Sequence, residues 1–191
     1  ADKNMSPAPT QANYASVGLT GVDSDTKANL LSDVVDGKAK TDVDTVQELQ
    51  DLANAVGATV GYTGGQTGPT EGQLNALTGE NTVTPDNLAA VKAAIAQANG
   101  GSTPITTQEQ LKEIIAAAVQ SYQAALDVIK AAAENNTATL TSPSAEQYAA
   151  AGVVGVTPSN LGAMNSALNS AVVNGSAADT AGEVQGIVNA Y

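Results

Sequence analysis

The stretch from Ser144 to Tyr191, SAEQYAAAGVVGVTPSNLGAMNSALNSAVVNGSAADTAGEVQGIVNAY, carries three helix-start signals, each followed by apolar residues at helical spacing. Ser144 with Gln147 three residues on is a capping box, in which a hydroxyl and an amide satisfy donors that a helix N-terminus leaves unpaired. Thr157 before Pro158 is the second start, with threonine as cap and proline at the first helical position. Thr180 with Glu183 is the third, again a capping box. Leu161, Met164 and Leu168 then share one face, and Val184, Ile187, Val188 and Tyr191 another. Short amphipathic helices cannot bury such stripes alone, so the expectation is a three-helix bundle.

The same pattern occurs twice upstream. TQANYASVGLTGV from Thr10 aligns with SAEQYAAAGVVGV, pairing Tyr14 with Tyr148, Gly18 with Gly152 and Gly21 with Gly155. DTVQELQDLANAV, Asp44 to Val56, aligns with DTAGEVQGIVNAY, pairing Thr45 with Thr180, Glu48 with Glu183, Gln50 with Gln185 and Asn54 with Asn189. A more divergent copy starts at Thr70 with Gln73 as its box partner, and VTPDNLAAVKAAI from Val83 repeats VTPSNLGAMNSAL from Val156. Its third helix opens at Thr106 with Glu109 and carries Leu111, Ile114, Ile115 and Ala118. The stripe then continues through Val119, Tyr122, Leu126 and Ile129 toward Glu134.

The predicted fold is therefore all-α: three tandem degenerate three-helix repeats with a glycine-rich linker and one long connecting helix. Residues 1–9 read as an extended arm, 10–56 as the first repeat and 57–69 as the linker. Residues 70–134 form the second repeat, and 135–191 the third, entered through a Thr-rich turn after Asn135–Asn136.

Composition narrows the function classes. The 191 residues hold 19 Asp and Glu against 7 Lys and Arg, a net charge of −12 that disfavours nucleic acid and anionic lipid as partners. Aromatic content is 3 %, with neither Phe nor Trp, so the expected cores are thin and closely packed. Without Cys or His there is no disulfide, no ordinary zinc or copper site and no histidine base. The apolar run Ile114 to Val119 is too short to span a bilayer, and no membrane insertion is expected.

Candidate chemistry is sparse. The tight carboxylate pairs Asp23/Asp25 and Asp42/Asp44 lack the glycine, the spacing and the closing Glu of an EF-hand, and helix capping explains them more simply. They are the calcium candidates, and no other cofactor is expected. Gly57 to Pro69 lacks the lysine and the βαβ setting of a phosphate loop. There is no G-x-S-x-G elbow, and the aromatic platforms of glycoside hydrolysis are missing, so no enzyme is expected. Interaction candidates are Tyr62 in the glycine-rich segment, Tyr122 on the helix extension and Tyr191 at the last position. Tyr14, Tyr148 and Tyr122 fall at helical apolar positions, where core packing is the simpler role.

The segments YAAAGVVGVTPSNLGAMNSAL and DTAGEVQGIVNAY resemble the α-helical repeats of very large secreted surface proteins of Gram-negative bacteria. The resemblance implies an extracellular, repetitive, structural or adhesive role with self-association, and other cell-surface proteins as further partners. The order of helix, A-G-V turn, helix and T-x-E-V helix is also similar to the albumin-binding GA module of Gram-positive surface proteins. That likeness implies the alternative function, capture of a host or partner protein on a helix face.

Overall fold

Helix starts in this chain are set by side chains that answer the orphan donors of the first turn. In the computed structural model, which describes residues 7–135 and 142–191, Thr10, Thr45, Thr70, Ser144 and Thr180 each cap a helix through a reciprocal box. Ser24 caps without reciprocation, its hydroxyl accepting from the Lys27 amide. Each cap is worth about 1 kcal/mol.

The helices are α1 (Gln11–Ser16), α2 (Asp25–Asp36), α3 (Val46–Val60), α4 (Glu71–Thr78), α5 (Leu88–Gly100), α6 (Gln108–Asn135), α7 (Ala145–Ala150), α8 (Leu161–Leu168) and α9 (Ala181–Asn189). Short 3-10 turns lie at Lys40–Asp42 and Gly175–Ala177. Among the described residues there is no strand, and the protein is all-α. The first six residues of the expected N-terminal arm and most of the Thr-rich turn lie outside the described residues.

The helix starts expected at Thr106 and Thr157 differ in detail. The Gln110 side chain accepts from the Thr106 amide and hydroxyl, while the Gln110 amide donates to the Thr107 hydroxyl. With Leu111 N–H bonded to the Thr107 carbonyl, the cap is one residue later than the Thr106/Glu109 pairing. At T-P-x-N, Asn160 takes the place of the acidic box residue, its side chain accepting from the Thr157 amide at 2.6 Å. Asn87 does the same for Thr84 at 2.9 Å. Proline thus occupies a turn ahead of the regular helix, which begins at Leu88 or Leu161.

The described residues fall into two compact units. The first comprises residues up to Val83 together with Val91–Ala116; the second comprises Thr84–Ala90 and Ala117–Tyr191. In the first, α2 and α4 both pack along α3, and Leu30, Leu31, Val34, Val56, Leu74, Leu77, Ile95 and Leu111 are fully buried. The glycine-rich segment belongs to this core. α3 runs on through Gly57 to Val60, and Tyr62, Gly68 and Pro69 are buried. The reason lies far away in sequence: Asn99 Nδ2 donates to the carbonyls of Thr59 and Tyr62 at 2.8 and 2.9 Å, and Asn99 Oδ1 accepts from Ile105 N–H at 3.3 Å.

In the second unit the core joins Tyr122, Leu126 and Ile129 of α6 to Tyr148 of α7, Ala151 just after it, Leu168 of α8 and Val184 of α9. Five alanines among its twelve residues let the helix backbones approach closely. Of the two expected stripes, Met164, Leu168 and Val184 are buried, while Leu161, Ile187 and Val188 are half-buried. Tyr191 lies just past the end of α9 and is 71 % exposed.

Tyr148 gives the second unit a pH limit. Its hydroxyl donates to Asn165 Oδ1 at 2.9 Å, and Asn165 Nδ2 in turn donates to the Pro143 carbonyl at 3.0 Å. Burial pushes its phenol from the ordinary 10.0 up to about 12. The neutral phenol is favoured in the folded state, so this stabilisation is complete below the unfolded pKa of about 10 and is lost as pH rises through about 12. Thermal melts should therefore decline steeply over that window. Tyr148→Phe should lose about 1 kcal/mol at neutral pH, yet decline less steeply in alkali. Parallel declines for both proteins would rule out the buried phenol as a cause.

Candidate functional site

Two glutamine side chains act as fasteners, Gln50 of α3 on the turn after α1 and Gln185 of α9 on the turn after α7. Gln50 Oε1 accepts from Thr20 N–H at 2.9 Å, while its Nε2 donates to the Thr20 carbonyl at 3.1 Å and to Asn54 Oδ1 at 2.9 Å. Gln185 repeats these three contacts, taking Val154 N–H at 2.8 Å and donating to the Val154 carbonyl at 3.1 Å and to Asn189 Oδ1 at 2.8 Å; the Thr20 hydroxyl, which also donates to Gln50 Oε1 at 3.3 Å, has no counterpart at Val154. Each primary amide engages both polar groups of one backbone residue, so the turn is held in a fixed register against the helix. Gly18 and Gly21, and likewise Gly152 and Gly155, take positive φ in those turns, a conformation open to glycine without steric cost.

The carboxylate pairs serve the fold. Asp23 pairs with Lys27 Nζ at 2.7 Å, which holds its carboxyl below the usual range. Asp25 accepts from Gln11 Nε2 at 2.7 Å. Asp42 sits in the 3-10 turn and Asp44 just ahead of the α3 cap, both exposed. Among the described residues no three His, Cys, Asp or Glu side chains gather where a metal ion would be held.

The tyrosines divide by burial. Tyr62 is 9 % exposed, its ring against Gly68 and 5.3 Å from Lys92 Nζ, so the ring is used inside the first unit. Tyr122 is 6 % exposed and belongs to the core of the second unit, where burial raises its phenol pKa. Neither presents a free face to a partner. Tyr191 does, as do Val17, Val154 and Val172, which are 51, 71 and 89 % exposed. The sequence singled out Tyr191 but not the valines. For Val17 the signal was available, since the repeat alignment sets it against the apolar Leu77.

No family model, characterised protein or solved structure matches the chain. Function must be read from its own geometry.

One open groove of about 370 Å³ lies in the first unit. Leu52 and Ala55 of α3, Gly72 and Ala76 of α4, and Lys38, Asp42, Glu48, Asp51 and Gln73 line it. Several of the polar groups are already committed. Glu48 Oε2 accepts from the Thr45 hydroxyl and amide at 2.8 and 3.0 Å, which holds its carboxyl below the usual range. Asp51 accepts from Gln47 at 2.8 Å, and Gln73 from the Thr70 amide at 2.9 Å. These side chains cap and brace helices. Among the described residues, no helix is long and apolar enough to cross a membrane.

Proposed function

We propose that the chain is a non-catalytic structural protein, a secreted building block of a bacterial extracellular fibre, filament or adhesin stalk, composed of three tandem degenerate three-helix repeats. The observation that carries this reading is the repeated fastening, in which Gln50 on Thr20 and Gln185 on Val154 make the same bonds in the same order. The middle repeat shares instead the T-P-x-N turn of the last one, Thr84–Asn87 matching Thr157–Asn160. The recurrence of such details in separate copies suits a protein whose units stack, because each buries a surface that it cannot bury alone.

Exposed Tyr191, Val154 and Val172 supply apolar surface for self-association. The charge of −12 keeps the subunits soluble before assembly. Electron micrographs of the purified protein at increasing concentration, with and without calcium, test the reading. End-to-end polymers are the expected result. A stable monomer that captures a serum or cell-surface protein would replace the filament with the GA-like binding module.

A further inference from the structure

Two Asn-Gly pairs occur in the chain, Asn99–Gly100 and Asn174–Gly175. An asparagine before glycine can close on itself, because no side chain on the next residue keeps the backbone nitrogen from the carboxamide carbon. The fold treats the two pairs oppositely. Asn99 lies inside α5 and is half-buried, with Nδ2 donating to the Thr59 and Tyr62 carbonyls and Oδ1 accepting from Ile105 N–H. Gly100 ends the same helix, where its N–H is taken by the backbone ladder. Both groups that would have to react are therefore held apart.

Asn174 is exposed and stands ahead of the 3-10 turn Gly175–Ala177 with extended backbone, φ −116° and ψ 175°. Its side chain makes no capping bond. Instead the Ser176 hydroxyl donates to Asn174 Oδ1 at 2.6 Å, which draws the carboxamide back over the peptide joining Asn174 to Gly175. Gly175 opens the turn, so its N–H has no acceptor within it. The Glu134 carboxylate lies where a Cβ on Gly175 would stand, which accounts for the glycine by space. The asparagine has no such account. Aligned on Asp44–Thr45 and Asp179–Thr180, the turn Lys40–Asp42 matches Gly175–Ala177, with Ala39 at Asn174 and Thr41 at Ser176. The first turn ends on Val43 at φ −146° and ψ 30°, the second on Ala178 at −146° and 34°. The same turn thus forms without an asparagine ahead of it.

We propose that Asn174 is a site of spontaneous self-modification, at which the Gly175 amide nitrogen converts the Asn174 side chain to a cyclic imide and then to aspartyl and isoaspartyl residues. Gly175 N gives its proton to solvent base and bonds to Asn174 Cγ. The Cγ–Nδ2 bond then breaks, and Nδ2 leaves as ammonia with a proton from water. Ser176 positions the carboxamide and donates to Oδ1 as negative charge gathers there in the tetrahedral intermediate. Water next adds to one of the two imide carbonyls and returns a proton to the nitrogen. Opening at Cγ leaves aspartate, and opening at the backbone carbonyl leaves isoaspartate, with the chain rerouted through the side chain. Either product sets a new negative charge next to Gly175, against which Glu134 already lies, and the two carboxylates repel.

Incubating the purified full chain in mildly alkaline buffer, with peptide mapping by mass spectrometry over time, tests this; enzymatic methylation quantifies isoaspartate. Asn174 should gain the mass of amide-to-acid exchange while Asn99 stays intact. In urea, where the bonds to Asn99 are gone, both should convert. Ser176→Ala removes one hydrogen bond to a developing charge and should slow Asn174 by about fivefold. Ser176→Thr, which keeps the hydroxyl as Thr41 does in the first repeat, should restore the rate. Asn174→Ala copies Ala39, should fold by circular dichroism, and should keep its melting temperature on incubation while that of the wild type falls. Equal rates at Asn174 and Asn99 in the folded chain would overturn the proposal, as would a Ser176→Ala rate equal to that of the wild type.

Discussion

Ile129→Ala should destabilise the second unit by about 3–5 kcal/mol, the upper part of the range for truncating a large buried aliphatic side chain. Ile129 is 0 % exposed, so the loss combines the transfer term for the removed carbons with the cavity they leave. What places it high is the setting. Ala125 and Ala133 flank it on α6, and Ala90, Ala151 and Ala178 face the same cluster. Where alanine already sets the spacing, helices have little room to move inward and close a void. A domain of ordinary stability has about 5–15 kcal/mol in total, so much of the margin would be lost. Urea titration read by circular dichroism measures it, with exposed Ala124→Ser expected within about 0.5 kcal/mol of the wild type. A loss below about 1.5 kcal/mol for Ile129→Ala would mean that the core adjusts and that alanine spacing does not hold the helices apart.

Gly68→Ala should cost about 1–3 kcal/mol by overpacking. A Cβ there would stand 2.5 and 2.7 Å from Cε2 and Cδ2 of Tyr62 and 2.8 Å from Cε of Lys92. The ring is buried, with the segment around it tied to Asn99, so it cannot swing aside freely. The glycine is required for space, and its backbone angle plays no part. Combining Gly68→Ala with Tyr62→Ala should then cost less than the sum of the two changes, a coupling that a double-mutant cycle in urea measures. Gly162→Ala is the opposite case. It lies within α8 with nothing within 4 Å of the added carbon, and should stabilise by about 0.5–1 kcal/mol. Additive costs at Gly68 and Tyr62 would show that the ring does not confine the glycine.

Local chemistry was the most legible part of the sequence. Boxes at Thr45/Glu48, Thr70/Gln73, Ser144/Gln147 and Thr180/Glu183 need only residues three apart, and all are formed. The start of α6 slipped by one because two threonines stand side by side, and the backbone bond from Leu111 to Thr107 decides between them. The glycine-rich segment was least legible. Its composition reads as a linker, but Asn99, 37 residues beyond Tyr62, holds it in the core. Tyr62 therefore looked like a docking residue and proved to be a packed one. The interaction candidate left exposed is Tyr191, since burial depends on what packs against a residue, which spacing alone does not reveal.

The glutamine fasteners carry a last consequence. Carboxamides have no charge to screen and no proton to lose in ordinary solution, so their grip does not weaken as salt is added or as the medium turns acid. The described residues contain a single side-chain ion pair, Lys27 with Asp23. The turns at Thr20 and Val154 are thus held to α3 and α9 by neutral groups, and of the carboxylates Glu48 and Glu183 serve as helix caps. Brine would quiet the mutual repulsion of those carboxylates and leave the fasteners untouched, so added salt should shift the balance of the fold through the surface alone.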